Sequence, residues 1–133
     1  LLKHYSPHAP VYLLEGSSDA VRRLVEEIVG QARAPSLRVG VLASAEEIAA
    51  YAGLHVVTAS LGVQRDLESA AYNLFAQLRD LDARRVDLIL AHPVPAVGLG
   101  LAVWDRLFRA AEGKVVNAEQ QVDVAALLQI VRE

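Results

Sequence analysis

The chain of 133 residues contains no cysteine and no methionine, and aromatic residues make up only 5% of it. The missing cysteine excludes disulfides and thiolate metal sites. Apolar residues nonetheless reach 53%, so the core has to be built from aliphatic side chains. A chain of this length is expected to form one domain around one hydrophobic core.

Strong charge of one sign is also absent, since 13 basic and 16 acidic residues give a net charge of -3. Direct binding of nucleic acid is therefore not expected, because contact with the phosphate backbone uses a basic stripe. The apolar runs, such as the one around 86–91, are much shorter than the roughly 20 residues that span a bilayer. Since the N-terminus also lacks the pattern of a secretory signal, the sequence predicts a cytoplasmic protein that does not enter the membrane.

Short β-prone runs alternate with segments whose apolar residues recur at helical spacing. The predicted strands are 11–14, 38–42, 55–59, 86–90 and 115–116, and the predicted helices begin near 19, 44, 66, 101 and 118. This alternation predicts a doubly wound, three-layer α/β domain with right-handed crossovers and a mostly parallel sheet of four or five strands. The charged stretch 79–84 is expected to be a solvated helix face with ion pairs one turn apart.

The first ten residues stand apart as an extended, polar arm. Pro7 and Pro10 keep this arm out of a helix. His4, Tyr5 and Ser6 add a stacking surface and three hydrogen-bonding groups, a composition that suits covering a polar ligand or a neighbouring domain. An ordinary tether is an equally good interpretation. Because no methionine precedes the arm, we expect the chain to be part of a longer protein.

The loops that follow the strands are where an α/β sheet places ligands, and their chemistry is sparse. Ser17 follows the first predicted strand, while Gly98 and Gly100 precede the helix after the fourth, so backbone N–H groups at these positions are candidates for an anion site. The alternatives are a helix N-cap for Ser17 and a tight turn for the glycines. A dinucleotide fingerprint and a lysine to hold a phosphate are both lacking.

His92 follows the fourth predicted strand and would lie at the same edge of the sheet, where it could act as a base or a ligand. The sequence offers it no partner at a fixed spacing, so a solvent-facing or locally hydrogen-bonded His92 is favoured. No nucleophile elbow supports hydrolase chemistry. The sequence therefore predicts neither a catalytic residue nor a metal site in this chain.

Several short blocks occur in an ordered, specifically spaced series. They are Lys3-His4-Tyr5-Ser6-Pro7, Ala9-Pro10-Val11, Asn73-Leu74-Phe75, Leu78-Arg79, Leu81-Asp82, Val86-Asp87-Leu88-Ile89-Leu90-Ala91, Gly98-Leu99-Gly100-Leu101-Ala102 and Asp105-Arg106-Leu107. Together, over about 3–116, they resemble the C-terminal domain of two-domain threonylcarbamoyl-AMP synthases. Tyr72 departs from the resemblance, since an arginine is expected there in many relatives. The segment 117–133 extends past the usual end of this domain and is expected to add a helix.

The resemblance implies that 1–10 is an interdomain linker and that 11–133 is a Rossmann-like accessory domain. The enzyme that it implies makes threonylcarbamoyl-AMP from threonine, bicarbonate and ATP for the threonylcarbamoyladenosine modification of tRNA. The implied partner is an N-terminal YrdC-like catalytic domain of the same protein, which holds the nucleotide and threonine pocket. ATP with magnesium would serve the full-length enzyme, and this fragment would bind no cofactor.

The resemblance also assigns a role to the arm, because the arm matches the end of a linker that lies across the catalytic pocket. The residues that it implies as pocket-closing contacts are Lys3, His4, Tyr5, Ser6 and Pro7. Two other functions stay open at this point. The domain could be an autonomous Rossmann-like module that binds a nucleotide or a small anion at Ser17 and the Gly98–Gly100 loop, or it could be an oligomerisation domain, since the sequence does not reveal the oligomeric state.

Overall fold

The computed structural model describes residues 5–33 and 36–133. In them, strands and helices alternate along the chain. The strands are β1 (Val11–Glu15), β2 (Val39–Ala43), β3 (Val56–Ser60), β4 (Leu88–Ala91) and β5 (Val115–Asn117), and the helices are α1 (Ser18–Ala32), α2 (Ala45–Ile48), α3 (Leu67–Ala83), α4 (Leu99–Ala110) and α5 (Val124–Arg132). A single 3₁₀ turn, Ala49–Tyr51, continues α2.

The five strands form one sheet in the order β3-β2-β4-β1-β5, and every described pair is parallel. This arrangement confirms the predicted Rossmann-like, doubly wound fold. Strands β2 and β4 are buried over their whole length. Their sequences are continuously apolar because helices cover the sheet on both faces.

The sheet divides the interior into two cores, and neighbouring residues of β1 point into different ones. Leu13 packs in the core under α3 and α4, whereas Leu14 packs in the core under α1 and α5. This alternation follows from the two-residue period of a strand. The three layers are therefore α1 with α5, the sheet, and α3 with α4.

Helix α5 completes the layer that α1 begins, and it starts six residues later than the apolar pattern suggests. Val124 and Leu128 are buried in the core that it shares with α1. The helix begins where the side chain of Asp123 accepts a hydrogen bond from the N–H of Ala126, as an N-cap does. Before it, the N–H of Ala118 bonds the carbonyl of Glu15, so this segment still continues the pairing of β5 with β1.

The connections between strands create a crevice at the carboxyl end of β4. The segments after β1 and β2 pack on the α1 face of the sheet, whereas those after β3 and β4 pack on the opposite face. Because β4 lies between β1 and β2, the chain leaves neighbouring strands toward opposite faces at this point. In parallel sheets such a switch point is where ligands bind.

Gly100, in the first turn of α4, allows close contact with the loop that precedes this helix. A Cβ at Gly100 would lie 2.0 Å from the carbonyl oxygen of Pro95, a distance that requires the backbone to move. We expect Gly100→Ala to lower the free energy of unfolding by about 3 kcal/mol, as overpacking against rigid structure does. Chemical denaturation of the purified chain measures this difference.

The matched control is Gly30→Ala, because Gly30 lies in α1 and a Cβ there meets no atom of the described residues within 4 Å. This control should raise the free energy of unfolding by about 1 kcal/mol, since alanine favours a helix over glycine. Equal effects of the two substitutions would contradict the close contact at Pro95.

Candidate functional site

The described part of the arm lies at the amino end of the strands and is held by the last turn of α3. The hydroxyl of Tyr5 donates a hydrogen bond to Oδ2 of Asp82 at 2.5 Å. The backbone N–H groups of His8 and Ala9 donate to the same carboxylate at 3.0 and 3.4 Å. The guanidinium of Arg79 lies 5.7 Å from the centre of the Tyr5 ring, within reach of a cation–π contact. One carboxylate therefore anchors the arm to its own domain.

The hydrogen bond to Asp82 also affects the protonation state of the Tyr5 hydroxyl. That bond, with burial and the negative charge of Asp82, raises the pKa of Tyr5 to about 12, although Arg79 acts in the opposite direction. Tyr5 is therefore a neutral donor at neutral pH. Ser6 is exposed and Pro7 is half-buried, while Lys3 and His4 lie outside the described residues.

At the opposite end of the strands a cleft of about 440 Å³ opens among the loops after β1, β2, β3 and β4. We call it the carboxyl-edge cleft. Its polar wall includes Ser44, Glu47 and His92, and its apolar wall includes Leu61, Leu67 and Val94. The strand order brings these loops together, since β4 lies next to both β1 and β2.

His92 is the centre of a buried polar network in the wall of the cleft. The residue is 3% exposed, and its Nε2 lies 2.5 Å from the hydroxyl of Tyr51. Its Nδ1 lies 3.3 Å from Oε2 of Glu47, a contact that falls outside hydrogen-bond geometry. The tautomer with the proton on Nδ1 fits both contacts, because Tyr51 then donates to Nε2 and the carboxylate faces an N–H group.

Glu47 links this network to the start of α2. Its Oε1 accepts hydrogen bonds from the N–H and the hydroxyl of Ser44 at 3.0 and 2.8 Å, which completes a capping box. Burial alone would raise the pKa of Glu47, but the contact with His92 and the bonds from Ser44 outweigh it and hold the pKa below its usual value. Burial, together with the negative charge of Glu47, raises the pKa of Tyr51. The network therefore holds an ionised carboxylate and a neutral phenol.

The residues predicted to bind an anion have partners within the chain. The Ser17 side chain caps α1 by accepting from the N–H of Ala20 at 3.2 Å, and the N–H of Ser17 donates to Oε2 of Glu119 at 2.6 Å. Gly98 precedes α4 with a φ of 56°, and Gly100 packs against the preceding loop. These three residues do not line the carboxyl-edge cleft as the described residues define it. Anion binding by them stays a prediction.

Sequence reasoning placed His92 at the correct edge of the sheet but missed its partners. Tyr51 lies 41 positions from His92 along the chain. The first-turn carboxylate Glu47 could be recognised as part of a helix start after Ser44, yet no local pattern shows that it meets His92. Only the adjacency of β2 and β4 brings these groups together.

Neither a metal site nor a membrane span is found in the part of the chain that the structure describes. Within 5–33 and 36–133, no three histidine, aspartate or glutamate side chains are grouped so that they could hold a metal ion. Over the same residues, none of the helices combines the length and the apolar character that crossing a membrane requires.

Comparison with known proteins gives consistent matches. The family model for the threonylcarbamoyl-AMP synthase C-terminal domain matches residues 1–112. The threonylcarbamoyl-AMP synthase of Bacillus subtilis is 38% identical over 114 residues, which are 86% of this chain and 31% of that protein. The chain thus spans about a third of the length of the curated relatives that it matches.

Solved structures match in the same way. The crystal structure of Pyrococcus abyssi Sua5 complexed with L-threonine has a TM-score of 0.72 and 36% identity over 87% of this chain and 32% of that one. A variant of the same protein with a consecutive histidine and tyrosine replaced by alanine also matches. The C-terminal Sua5 domain from Pyrococcus horikoshii has a TM-score of 0.62 and 31% identity, with 84% of this chain and 99% of that one covered.

The hydroxyl of Tyr51 is the hydrogen-bond partner of Nε2 of His92. We expect Tyr51→Phe to lower the free energy of unfolding by about 2 kcal/mol, because the substitution leaves a buried ring nitrogen without its hydrogen bond. Denaturant unfolding measures the loss. In the matched control, Tyr72→Phe, the side chain is 86% exposed, so the change should stay within about 0.5 kcal/mol. Similar losses in both variants would contradict the buried role of the Tyr51 hydroxyl.

The ionised Glu47 side chain predicts a pH-dependent contribution to stability. Since its pKa is lower in the folded chain than the ordinary 4.5, the carboxylate stabilises the fold above pH 4.5, and this stabilisation disappears as the pH falls through the folded-state pKa. Glu47→Gln should therefore differ most from the wild type at neutral pH and progressively less below pH 4.5. Unfolding curves over a pH series check this, with Glu68→Gln, an exposed first-turn carboxylate of α3, as the control. A difference that does not vary with pH would contradict the prediction.

Proposed function

Since the chain belongs to the family of threonylcarbamoyl-AMP synthase C-terminal domains, we propose that it is the accessory domain of an enzyme that forms threonylcarbamoyl-AMP from threonine, bicarbonate and ATP. The observation that carries this proposal is the family match over residues 1–112, which includes the arm as well as strands β1 to β4 of the sheet. In the proposed enzyme an N-terminal YrdC-like domain binds threonine and ATP with magnesium and performs the chemistry. The product then serves tRNA modification in the cytoplasm.

The arm is the proposed link between this domain and the active site. Anchored by Asp82, Tyr5 gives the arm a defined point of departure from the domain surface. On this proposal Lys3 and His4, which precede the anchor in the sequence, contact the neighbouring catalytic domain. Tyr5 and the N–H of His8 attach the described part of the arm to the carboxylate of Asp82 at two points.

A comparison supports the choice of this segment. The matched variant of Pyrococcus abyssi Sua5 replaces a consecutive histidine and tyrosine, and His4-Tyr5 is the only such pair in this sequence. On this proposal, His4 and Lys3 make the contacts that close the pocket, Ser6 and Pro7 carry the chain across the surface, and Tyr5 holds the arm in place. On this proposal the domain orders and orients the arm, and the catalytic groups belong to the N-terminal YrdC-like domain.

The experiment uses the enzyme that carries this domain after its catalytic domain, and it measures pyrophosphate released from ATP with threonine and bicarbonate. Asp82→Asn weakens the charge-assisted bond to Tyr5, which is worth about 1.5–3 kcal/mol. We expect the rate to fall by about tenfold, since about 1.4 kcal/mol corresponds to this factor. The 133-residue chain alone should show no turnover.

The matched control is Asp80→Asn, two residues away on the same helix. Asp80 pairs with Arg84 at the surface, and both side chains are more than 40% exposed, so its loss should change the rate by less than about twofold. Unfolding curves of both variants separate a loss of stability from a loss of arm position. An unchanged rate in Asp82→Asn, or robust turnover by the chain alone, would contradict the proposal.

A further inference from the structure

The carboxyl-edge cleft is acidic. Glu15 and Glu47 line it, and its lining in the described part of the chain includes neither lysine nor arginine. A third carboxylate, Glu119, lies next to the lining residue Gly16, since a Cβ built on this glycine would come within 3.2 Å of the Glu119 side chain. Because like charges repel more strongly where water is partly excluded, a phosphate or carboxylate ligand is disfavoured in this cleft.

The polar wall of the cleft has hydrogen-bonding capacity that the described residues leave unused. Oε1 of Glu47 accepts two bonds from Ser44, whereas Oε2 faces only Nδ1 of His92, outside hydrogen-bond geometry. In the tautomer assigned above this nitrogen is a donor, so it faces the carboxylate and offers a ligand ammonium no acceptor. Buried polar atoms normally have a hydrogen-bond partner. Leaving an ionised oxygen without a partner costs more free energy than leaving a neutral one without a partner. Among the described residues no hydrogen bond reaches Oε2 of Glu47, whose side chain is 17% exposed, so this oxygen is an acceptor open to a ligand.

The rest of the cleft indicates what the ligand carries besides a positive charge. Leu61, Leu67 and Val94 form an aliphatic wall opposite the polar groups. Phenylalanine, tyrosine and tryptophan are absent from the described lining, so a nucleobase would find no aromatic ring on which to stack. The volume of about 440 Å³ lies within the roughly 300–1,000 Å³ typical of small-molecule sites.

We propose that the carboxyl-edge cleft binds a small aliphatic amine, with its ammonium group against Glu47 and Glu15 and its hydrocarbon part against Leu61, Leu67 and Val94. The ammonium group donates to Oε2 of Glu47, which shares the negative charge between the ligand and the Nδ1–H of His92. This site is independent of the accessory role of the arm, which lies at the other end of the strands. Failure of either proposal leaves the other unaffected.

The test compares three probes of the same shape and different charge on the isotope-labelled 133-residue chain, followed by two-dimensional amide NMR. The probes are isoamylamine, isoamyl alcohol and isovalerate at millimolar concentration and neutral pH. Isoamylamine should give saturable shifts at Glu47, Leu61 and His92. The alcohol should bind about tenfold more weakly, as expected for the loss of a charge-assisted bond, and isovalerate more weakly still. Equal binding of the three probes, or no saturable shift at these residues with the amine, would overturn the proposal.

Two variants locate the charge that the amine recognises. Glu47→Gln should weaken the binding of isoamylamine by about tenfold. Because this variant also alters the capping box, Glu15→Gln serves as a second test, with an expected loss of a few-fold. The control Glu112→Gln makes the same change of charge after the end of α4, outside the cleft, and should bind as the wild type does. Unchanged affinity in Glu15→Gln and in a folded Glu47→Gln would refute the assignment.

Discussion

The insertion of β4 between β1 and β2 is the constraint on which the rest of the structure depends. Ile89 pairs with Val11 on one side and with Gly40 on the other, so β4 joins strands that are distant along the chain. The segment that follows β4 therefore packs on the α3 face of the sheet, whereas the segments that follow β1 and β2 pack on the α1 face. The crevice, the two separate cores and the placement of His92 beside the start of α2 all follow from this one pairing.

The same pairing separates the two parts of the molecule that carry functional chemistry. The arm enters at the start of β1, whereas Glu15 and Gly16, at and after its end, line the carboxyl-edge cleft. A five-residue strand is about 16 Å long, and β1 is paired on both sides, with β4 and with β5. A rigid, fully paired sheet thus holds the arm and the cleft apart. A partner that contacts the arm need not cover the cleft, and a small molecule in the cleft need not touch the arm.

Much of the fold could be predicted because its signals are local. The apolar runs of β2 and β4 indicate burial on both faces, and the stripe of α3 indicates a packed helix. The strand order could not be obtained in this way, since periodicity does not specify which strands pair. The network of His92 with Tyr51 and Glu47 depends on that order, so sequence reasoning singled out His92 and not its two partners. The residues of the arm were singled out by composition, but the partner of Tyr5 lies 77 positions further along the chain.

Asp82, the hydrogen-bond acceptor of Tyr5, shows why sequence patterns within one helix do not reveal this contact. Sequence reasoning placed it with Asp80 on a solvated helix face, and for Asp80, which pairs with Arg84, this is correct. Asp82 lies in the last turn of α3, which contains no basic side chain and where the helix dipole disfavours a negative charge. Its carboxylate instead accepts from the Tyr5 hydroxyl and from two backbone N–H groups of the arm. In the described part of the chain the hydrogen bonds to this carboxylate come from the arm, so a residue that is unfavourable for its own helix is stabilised by contacts outside it. Departures from a local sequence rule of this kind are expected at functional sites. Removal of the arm would leave this charge facing the helix terminus without donors, so the position of the arm and the stability of the end of α3 are physically coupled.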